Sequence, residues 1–461
     1  MPADRSMIRA EIRATLALAA PLAGANLAQM AMGLTNAIMV GHLGGASLAA
    51  AGLGSALYFT LVMICQGVLI AVAPLAAHAI GADDRPAADR IAGAGMVLAA
   101  VLAVPVFVLL TIAPRLLTLL GYDPVLAADI ARYLSAIRWG APAFLAFAVL
   151  RAMLSAAARV RAVMLVVLLA VPANALLNWA WVFGHLGLPA LGIRGSGCST
   201  AVIQWLMALG LAGYVLMLRA RSRPRFGKPS RVEFGRIVRV GLPISAILAL
   251  EVGVFNVTGV LMGLLGADAL GAHQLAINFA SLTFMLPLGI AQAVTVRVAF
   301  ELGAGEPAAA RLAGFVALAL GGGLMLAPSV LMLAFPWAIA GIYLDLADPG
   351  NRATAAIAAQ LLAIAALFQV FDGLQVIAIG ALRGYRDTAV PMLIAAFGYW
   401  GVGFAGGWAL AFPLGYGATG LWWGLALGLV VVALLLTLRL HRRSSGAYAG
   451  AAVAEPQPMP G

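Results

Sequence analysis

Polar and apolar positions along this chain alternate on a long scale. Apolar runs of about 20 residues or more recur from end to end, broken by short polar turns. Twelve such runs fit, at roughly 14–40, 47–79, 91–113, 126–150, 160–184, 197–218, 237–265, 269–300, 310–335, 353–380, 388–412 and 418–439. Each is long enough to cross roughly 30 Å of hydrocarbon as a helix. Barrel strands are excluded, because the runs are continuous and lack an alternation over about 10 residues. Turn signals stand between them: HLGG at 42–45, GADDRP at 81–86, GYDP at 121–124, LGADA at 265–269 and LADPGN at 346–351. The pattern predicts an all-α polytopic membrane protein with 12 transmembrane helices.

The two halves of the pattern repeat. Pro21, Gly41, Leu43, Gly44, Leu48, Gly67 and Gly81 recur 222 positions later as Pro243, Gly263, Leu265, Gly266, Leu270, Gly289 and Gly303. One gap later, PAADRIAG (86–93) matches PAAARLAG (307–314). Each half holds six runs, an even number, so both halves enter from the same side. The repeat is therefore parallel, and it predicts two six-helix lobes about an axis along the membrane normal. The expected division is an N-lobe at 1–218, a basic linker at 219–236, a C-lobe at 237–443 and a disordered tail at 444–461 rich in Gly, Ala and Pro.

Composition supports the membrane reading: 63% of residues are hydrophobic and 10% charged, against about 25% charged in an ordinary soluble domain. The formal net charge of +11 needs a source, and its distribution supplies one. By position, 23 of the 28 Lys and Arg fall on one side, including the N-terminus, Arg151 to Arg161, RARSRPRFGKPSR (219–231), Arg383 with Arg386, and Arg439 to Arg443. Arg115, Arg132, Arg194 and Arg352 fall on the other. This asymmetry predicts that both termini are cytoplasmic. The charge is thus an orientation signal and not a nucleic-acid footprint, and the linker is expected to lie against anionic headgroups. Arg5, Arg9 and Arg13 before LALAAPLAG resemble the start of a signal peptide, yet the apolar stretch runs on to about residue 40 and reads as a retained first span. Cys65 and Cys198 show no metal-ligand spacing and read as small buried hydrophobes.

Candidate chemistry is sparse. No nucleotide loop, Ser/His/Asp set or metal-binding His cluster is visible, which points away from an enzyme and from an ATP-driven pump. Of the 17 acidic residues, only Glu251 and Asp372 fall in the middle of spans. A charged carboxylate at mid-bilayer is costly unless hydrated, paired or protonated. No Lys or Arg occupies the centre of either span. A functional pair able to exchange H+ for Na+ is the leading reading, and two carboxyls held neutral by packing hydrogen bonds is the other. Phe255 lies one turn from Glu251 on the same face. Gln274, Asn278 and Phe284 in span 8 add amides and an aromatic face, and Gln369 and Gln375 flank Asp372. Aromatic faces attract organic cations, although each ring on its own also suits lipid contact or core filling. In span 5, Pro172 precedes Asn174 and Asn178, two amides spaced to share one helix face. Interhelical hydrogen bonding is their structural reading. Asn36 is a further amide, in GLTNAIMVGHLG of span 1.

These residues resemble the multidrug and toxic compound extrusion (MATE) family, in its NorM-like branch. The resemblance covers nearly the whole chain. It rests on APLAGANLAQMAMGLTNAIMVGHLG, VPANALLNW with GLPALGIRGSG, GLPISAILALEVGVF, GAHQLAINFASLTFMLPLGIAQAVTVRV and FDGLQVIAIGALRGYRDTAVPM. It implies a MATE, or MOP-type, fold and a cation-coupled antiporter that exports bulky, mostly cationic drugs by alternating access. It further implies that Glu251 and Asp372 form the C-lobe cation site and would be the ligands of a coupling Na+. Phe255, Gln274 and Phe284 match positions around that site or the drug. Asn174 and Asn178 match an N-lobe polar network. Two positions depart from the family pattern: Asn36 stands where an aspartate is typical, and Phe368 where a tyrosine is common. No cofactor is implied beyond Na+ or H+ as coupling ion. The expected partners are drug-like small molecules and the bilayer, and the expected state is monomeric.

Three other readings fit less well. A lipid-linked oligosaccharide flippase of the same superfamily would want a basic cavity, and only Arg138 looks span-embedded, near the outer end of span 4. A major facilitator transporter shares the parallel repeat, but GADDRPAADR (81–90) follows its loop motif only as far as the arginine. A channel would want a re-entrant pore segment, and none is seen.

Overall fold

The structure is a computed structural model that describes residues 5–222, 227–228 and 230–454, without the side chains of 218–222 and 447–454. Parts of the expected linker (223–226 and 229) and the end of the tail (455–461) lie outside the described residues.

Twelve of its helices are long and apolar enough to cross a membrane. They are α1 (Arg5–Gly41), α2 (Gly45–Gly81), α3 (Arg85–Leu119), α4 (Pro124–Ala156), α5 (Val160–Phe183), α6 (Ile193–Met217), α7 (Arg231–Leu265), α8 (Ala267–Gly303), α9 (Pro307–Ala334), α10 (Pro349–Gly384), α11 (Ala389–Ala411) and α12 (Gly417–Gly446). The turn signals act as caps. Asp84 accepts from the Ala87 amide at 2.9 Å to open α3, and Asp123 accepts from the Val125 amide at 2.8 Å to open α4. A proline follows each cap, where its missing N–H costs nothing. Large apolar side chains such as Leu169, Val260 and Leu264 are exposed, as a lipid-facing surface requires.

Two ends differ from expectation. Helix α1 begins at Arg5, well before residue 14, because Glu11 and Thr15 find buried polar partners. The last helix does not stop at Ser444. Helical backbone continues to Ala454, in keeping with the alanine-rich sequence AYAGAAVA, alanine being the strongest helix former.

Contacts divide the chain into two compact units, one of Gly24–Ser245 and one of the described residues up to Ala23 together with those from Ala246 on. The division falls inside α1 and α7, shortly after Pro21 and Pro243, and not in the basic linker. Within the first unit, Met32, Phe147, Val163, Met207 and Leu211 form one core cluster, and Tyr58, Val62, Val106, Leu134 and Ile137 form another. The start of α7 is held there by Glu233, which pairs with Arg90 at 3.0 Å. Within the second unit, Arg297 grips Glu11 through two hydrogen bonds of 3.1 and 2.6 Å. Glu11 and Glu233 are 222 residues apart, so the repeat places an anchoring glutamate on each segment.

The repeat glycines Gly67 and Gly289 have a matching cause. A Cβ at Gly289 would lie 2.7 Å from Ala23 Cβ, and one at Gly67 would lie 2.5 Å from Ser245 Cα. Ala23 and Ser245 are themselves 222 apart. Each glycine therefore lets its helix lie against the helix that begins the other half of the sequence.

Candidate functional site

The Gly24–Ser245 unit carries a polar cluster made of neutral groups. Helix α5 presents Asn174 and Asn178 one turn apart on the same face. Both amides donate to a single acceptor, Asn36 Oδ1 on α1, at 2.9 Å each. Asn36 Nδ2 in turn donates to Thr200 Oγ1 on α6 at 3.0 Å. Asn178 Nδ2 also lies 2.9 Å from the Asn174 carbonyl, and Asn174 Nδ2 lies 3.4 Å from that of Met32. Asn174 and Asn178 are almost wholly buried, while Asn36 is half-buried. Hydrogen bonds of this kind each contribute about 1 kcal/mol net. They also relieve the larger cost of unpaired amides in an apolar surround.

The other unit carries a cluster built on two ionisable groups. Asp372 is 8% exposed on α10, and Glu251 is half-buried on α7. Gln375, one turn beyond Asp372 and fully buried, joins them. Its Nε2 donates to Asp372 Oδ1 at 3.1 Å and reaches Glu251 Oε1 at 3.5 Å. Its Oε1 accepts from the Tyr399 hydroxyl. The bridging amide is thus oriented by a phenol on α11, so its donor side faces the two carboxyls. Tyr399 lies in a π-helical stretch, Phe397–Phe404, within α11, a local unwinding often found at functional sites. The next residue, Trp400, donates to the Leu250 carbonyl at 3.1 Å, beside Glu251.

The other expected neighbours are less closely tied. Phe255 and Phe284 are half-buried, and Gln274 and Asn278 are exposed. Gln274 and Asn278 are four residues apart and share a face of α8. Among the described residues neither amide bonds to Glu251 or Asp372. Gln369 turns instead to α8, donating to Thr283 Oγ1 at 2.6 Å. Phe368 is buried against Trp422, their ring centres 5.7 Å apart, and Trp422 donates to His273 Nδ1 at 3.2 Å. Position 368 thus belongs to an aromatic cluster, which accounts for an apolar ring there.

Several members of these clusters carry little signal in the sequence. Thr200 and Thr283 are ordinary small polar residues in apolar helices. Tyr399 has one signal, the glycine spacing of FGYWGVGF, which weakens regular α-helix. Arg383, which its position in the chain places on the charged rim, is 8% exposed and interacts electrostatically with Glu251. Its burial departs from the place on the charged rim that the chain pattern gives it. Its signal is its spacing of 11 residues from Asp372, three helical turns on the same face. Cys65 and Cys198 are both free. Among the described residues, no group of three or more His, Cys, Asp or Glu is placed to hold a metal ion.

Twelve candidate spans in two compact units, each with a polar cluster within its spans, are the construction of a membrane transporter. The particular family follows from comparison with known proteins. The MatE family model matches residues 21–180 and 243–409, one segment in each half. The multidrug resistance protein NorM of Burkholderia vietnamiensis is 44% identical over 440 residues, covering 94% of this chain and 95% of its own. The chain belongs to the MatE family, whose members are transporters and not enzymes. Solved structures agree on the fold. A MATE protein in complex with MaL6 superimposes with a TM-score of 0.87 at 20% identity, over 95% of this chain and 97% of that one. A MOP superfamily transporter from Pyrococcus furiosus gives 0.84 at 20% identity, over 95% and 97%. For that protein, reversed polarity of the binding pocket suggests a different function.

Proposed function

We propose that this protein is a multidrug exporter of a bacterial inner membrane that drives bulky, mostly cationic compounds outward in exchange for Na+ or H+. The observation that carries the reading is the Glu251–Gln375–Asp372 cluster: two mid-span carboxyls bridged by one oriented amide. Two carboxylates this close repel one another in a medium of low dielectric. A cation entering between them relieves that repulsion, and its departure restores it. The cluster is therefore a place where one conformation holds a cation and another releases it. Gln375 keeps both carboxyls turned toward a common point, with Tyr399 fixing the amide. The NorM relative is named for multidrug resistance, and the acidic character of the cluster suits a cationic cargo. No cofactor enters the cycle. The basic rim argues for cytoplasmic termini, and each unit's complete cluster lies within one chain, which argues for a monomer.

The test is export of ethidium from proteoliposomes under an imposed Na+ gradient and, separately, an imposed pH gradient. Uphill export driven by either ion is expected, and the ion that drives it is the coupling ion. Ethidium movement that ignores both gradients would refute the reading.

A further inference from the structure

The carboxyl pair shares a helix face with a buried positive charge that the proposed cycle does not use. Arg383 is the second-last residue of α10, 11 residues past Asp372. Eleven residues are three turns plus about 20°, so both side chains leave the same face of the helix. Long side chains on a helix project back toward its N-terminus, here toward the carboxyls. The guanidinium is buried, its Nε has no hydrogen-bond partner among the described residues, and it lies within electrostatic reach of Glu251. A buried arginine with an unmet N–H is expensive. Glu251, Asp372 and the Tyr399 phenol are the ionisable groups grouped with it on α7, α10 and α11.

The other half of the sequence shows what such an arginine does when it is fully bonded. Helices α4 and α10 end alike. Ala158 and Arg386 take φ of 56° and 57°, and the closing backbone bonds Ala158 N to Ser155 O and Arg386 N to Arg383 O correspond. Counted back from those residues, Arg151 lies four positions, about one turn, deeper along its helix than Arg383. Arg151 donates to Asn26 Oδ1 at 2.6 Å and to Gln29 Oε1 at 3.3 Å. Gln29 is the residue 222 positions before Glu251. One unit therefore holds its arginine on a neutral amide. The other sets its arginine one turn nearer the helix end than Arg151, within electrostatic reach of the equivalent carboxyl but without a hydrogen bond to it among the described residues.

We propose that Arg383 is the tethered counter-charge of Glu251, the charge whose field opposes a sodium ion entering the carboxyl pair and favours its release. The inference rests on the cation-site reading above. It makes Arg383 a positioning residue: the guanidinium stays charged throughout and sets how tightly the pair holds its ion.

The experiment measures sodium-22 binding to the purified full-length protein at fixed pH, together with the sodium dependence of ethidium export. Arg383→Gln should bind sodium about tenfold or more tightly, because one nearby positive charge is gone. Its half-saturating sodium should fall, and its maximal export rate should fall with it as release slows. Arg383→Lys, which keeps the charge, should stay near the parent. Arg383→Met carries the same expectation as Arg383→Gln should the latter fail to fold. A purely structural role would lower thermal stability and leave sodium affinity unchanged. Unchanged affinity in a folded Arg383→Gln or Arg383→Met protein, Arg383→Lys behaving like Arg383→Gln, or no sodium binding by the parent would each overturn the proposal. If Glu251→Gln abolishes gradient-driven export while Arg383→Gln leaves affinity alone, this inference fails and the site reading stands. If Glu251→Gln exports normally, the site reading itself fails.

Discussion

The two units answer the same sequence repeat in opposite ways. In one, Asn36, Asn174, Asn178 and Thr200 exchange hydrogen bonds among neutral groups, and the arginine nearby is bonded to amides. In the other, Glu251 and Asp372 meet at one glutamine, and the arginine nearby stops short of a bond. The neutral amide cluster offers no charge for an ion to neutralise, and among the described residues only Asn178 Oδ1 in it is left without a partner. A pair of ionised carboxylates repels itself until a proton or a cation joins it. One helical plan thus holds a cluster of neutral amides in one unit and a pair of carboxyls in the other.

The comparison can be broken most severely at the carboxyls. Glu251→Gln or Asp372→Asn should each reduce gradient-driven ethidium export to background while ethidium binding persists, as read by export and by fluorescence titration. A next step is Gln375→Leu, which removes the bridge and leaves Asp372 and the Tyr399 hydroxyl without their partner. Half-saturating cation for export should rise by about tenfold, the loss of roughly one charge-assisted hydrogen bond. On the neutral side, Asn36→Ala deletes the acceptor shared by two buried amides. A loss of about 1–3 kcal/mol of stability is expected in thermal unfolding, with coupling kept. Asn36→Asp sharpens the contrast differently. It puts a titratable group among amide donors, and export should gain a pH dependence that the parent lacks at that site. The smallest effect is expected from Phe368→Tyr. That ring packs on Trp422, so the cation dependence of export should stay within about twofold of the parent.

Much of this difference is legible in the amino-acid sequence. Continuous apolar runs leave no alternative to spanning helices, and an acid in mid-span is costly enough to stand out. The repeat locates both halves, and the spacing of Asn174 and Asn178 puts them on one face. Other features depend on tertiary contacts that spacing does not encode. Along the chain, Gln375 reads as one of two equal flankers of Asp372. Only side chains from α7 and α11 make it the bridge, while Gln369 turns to Thr283 on α8. Tyr399 is aimed by a π-helical stretch, which composition signals weakly. Arg383 belongs to the rim by position, because arginines at helix ends usually reach water. Here the side chain turns inward, which a count of charges along the chain does not reveal. The compact units likewise part near Pro21 and Pro243 and not at the polar linker, since contact and not polarity decides where a unit ends.

The central claim is that coupling charge resides in one unit alone. It is tested most directly by the number of coupling ions moved per ethidium exported, measured in the same proteoliposomes for the parent and for Asn36→Ala. The account predicts the same ratio in both, with Asn36→Ala altered only in stability or ethidium affinity. A lower ratio in Asn36→Ala would mean that the amide cluster also carries an ion, and would contradict it.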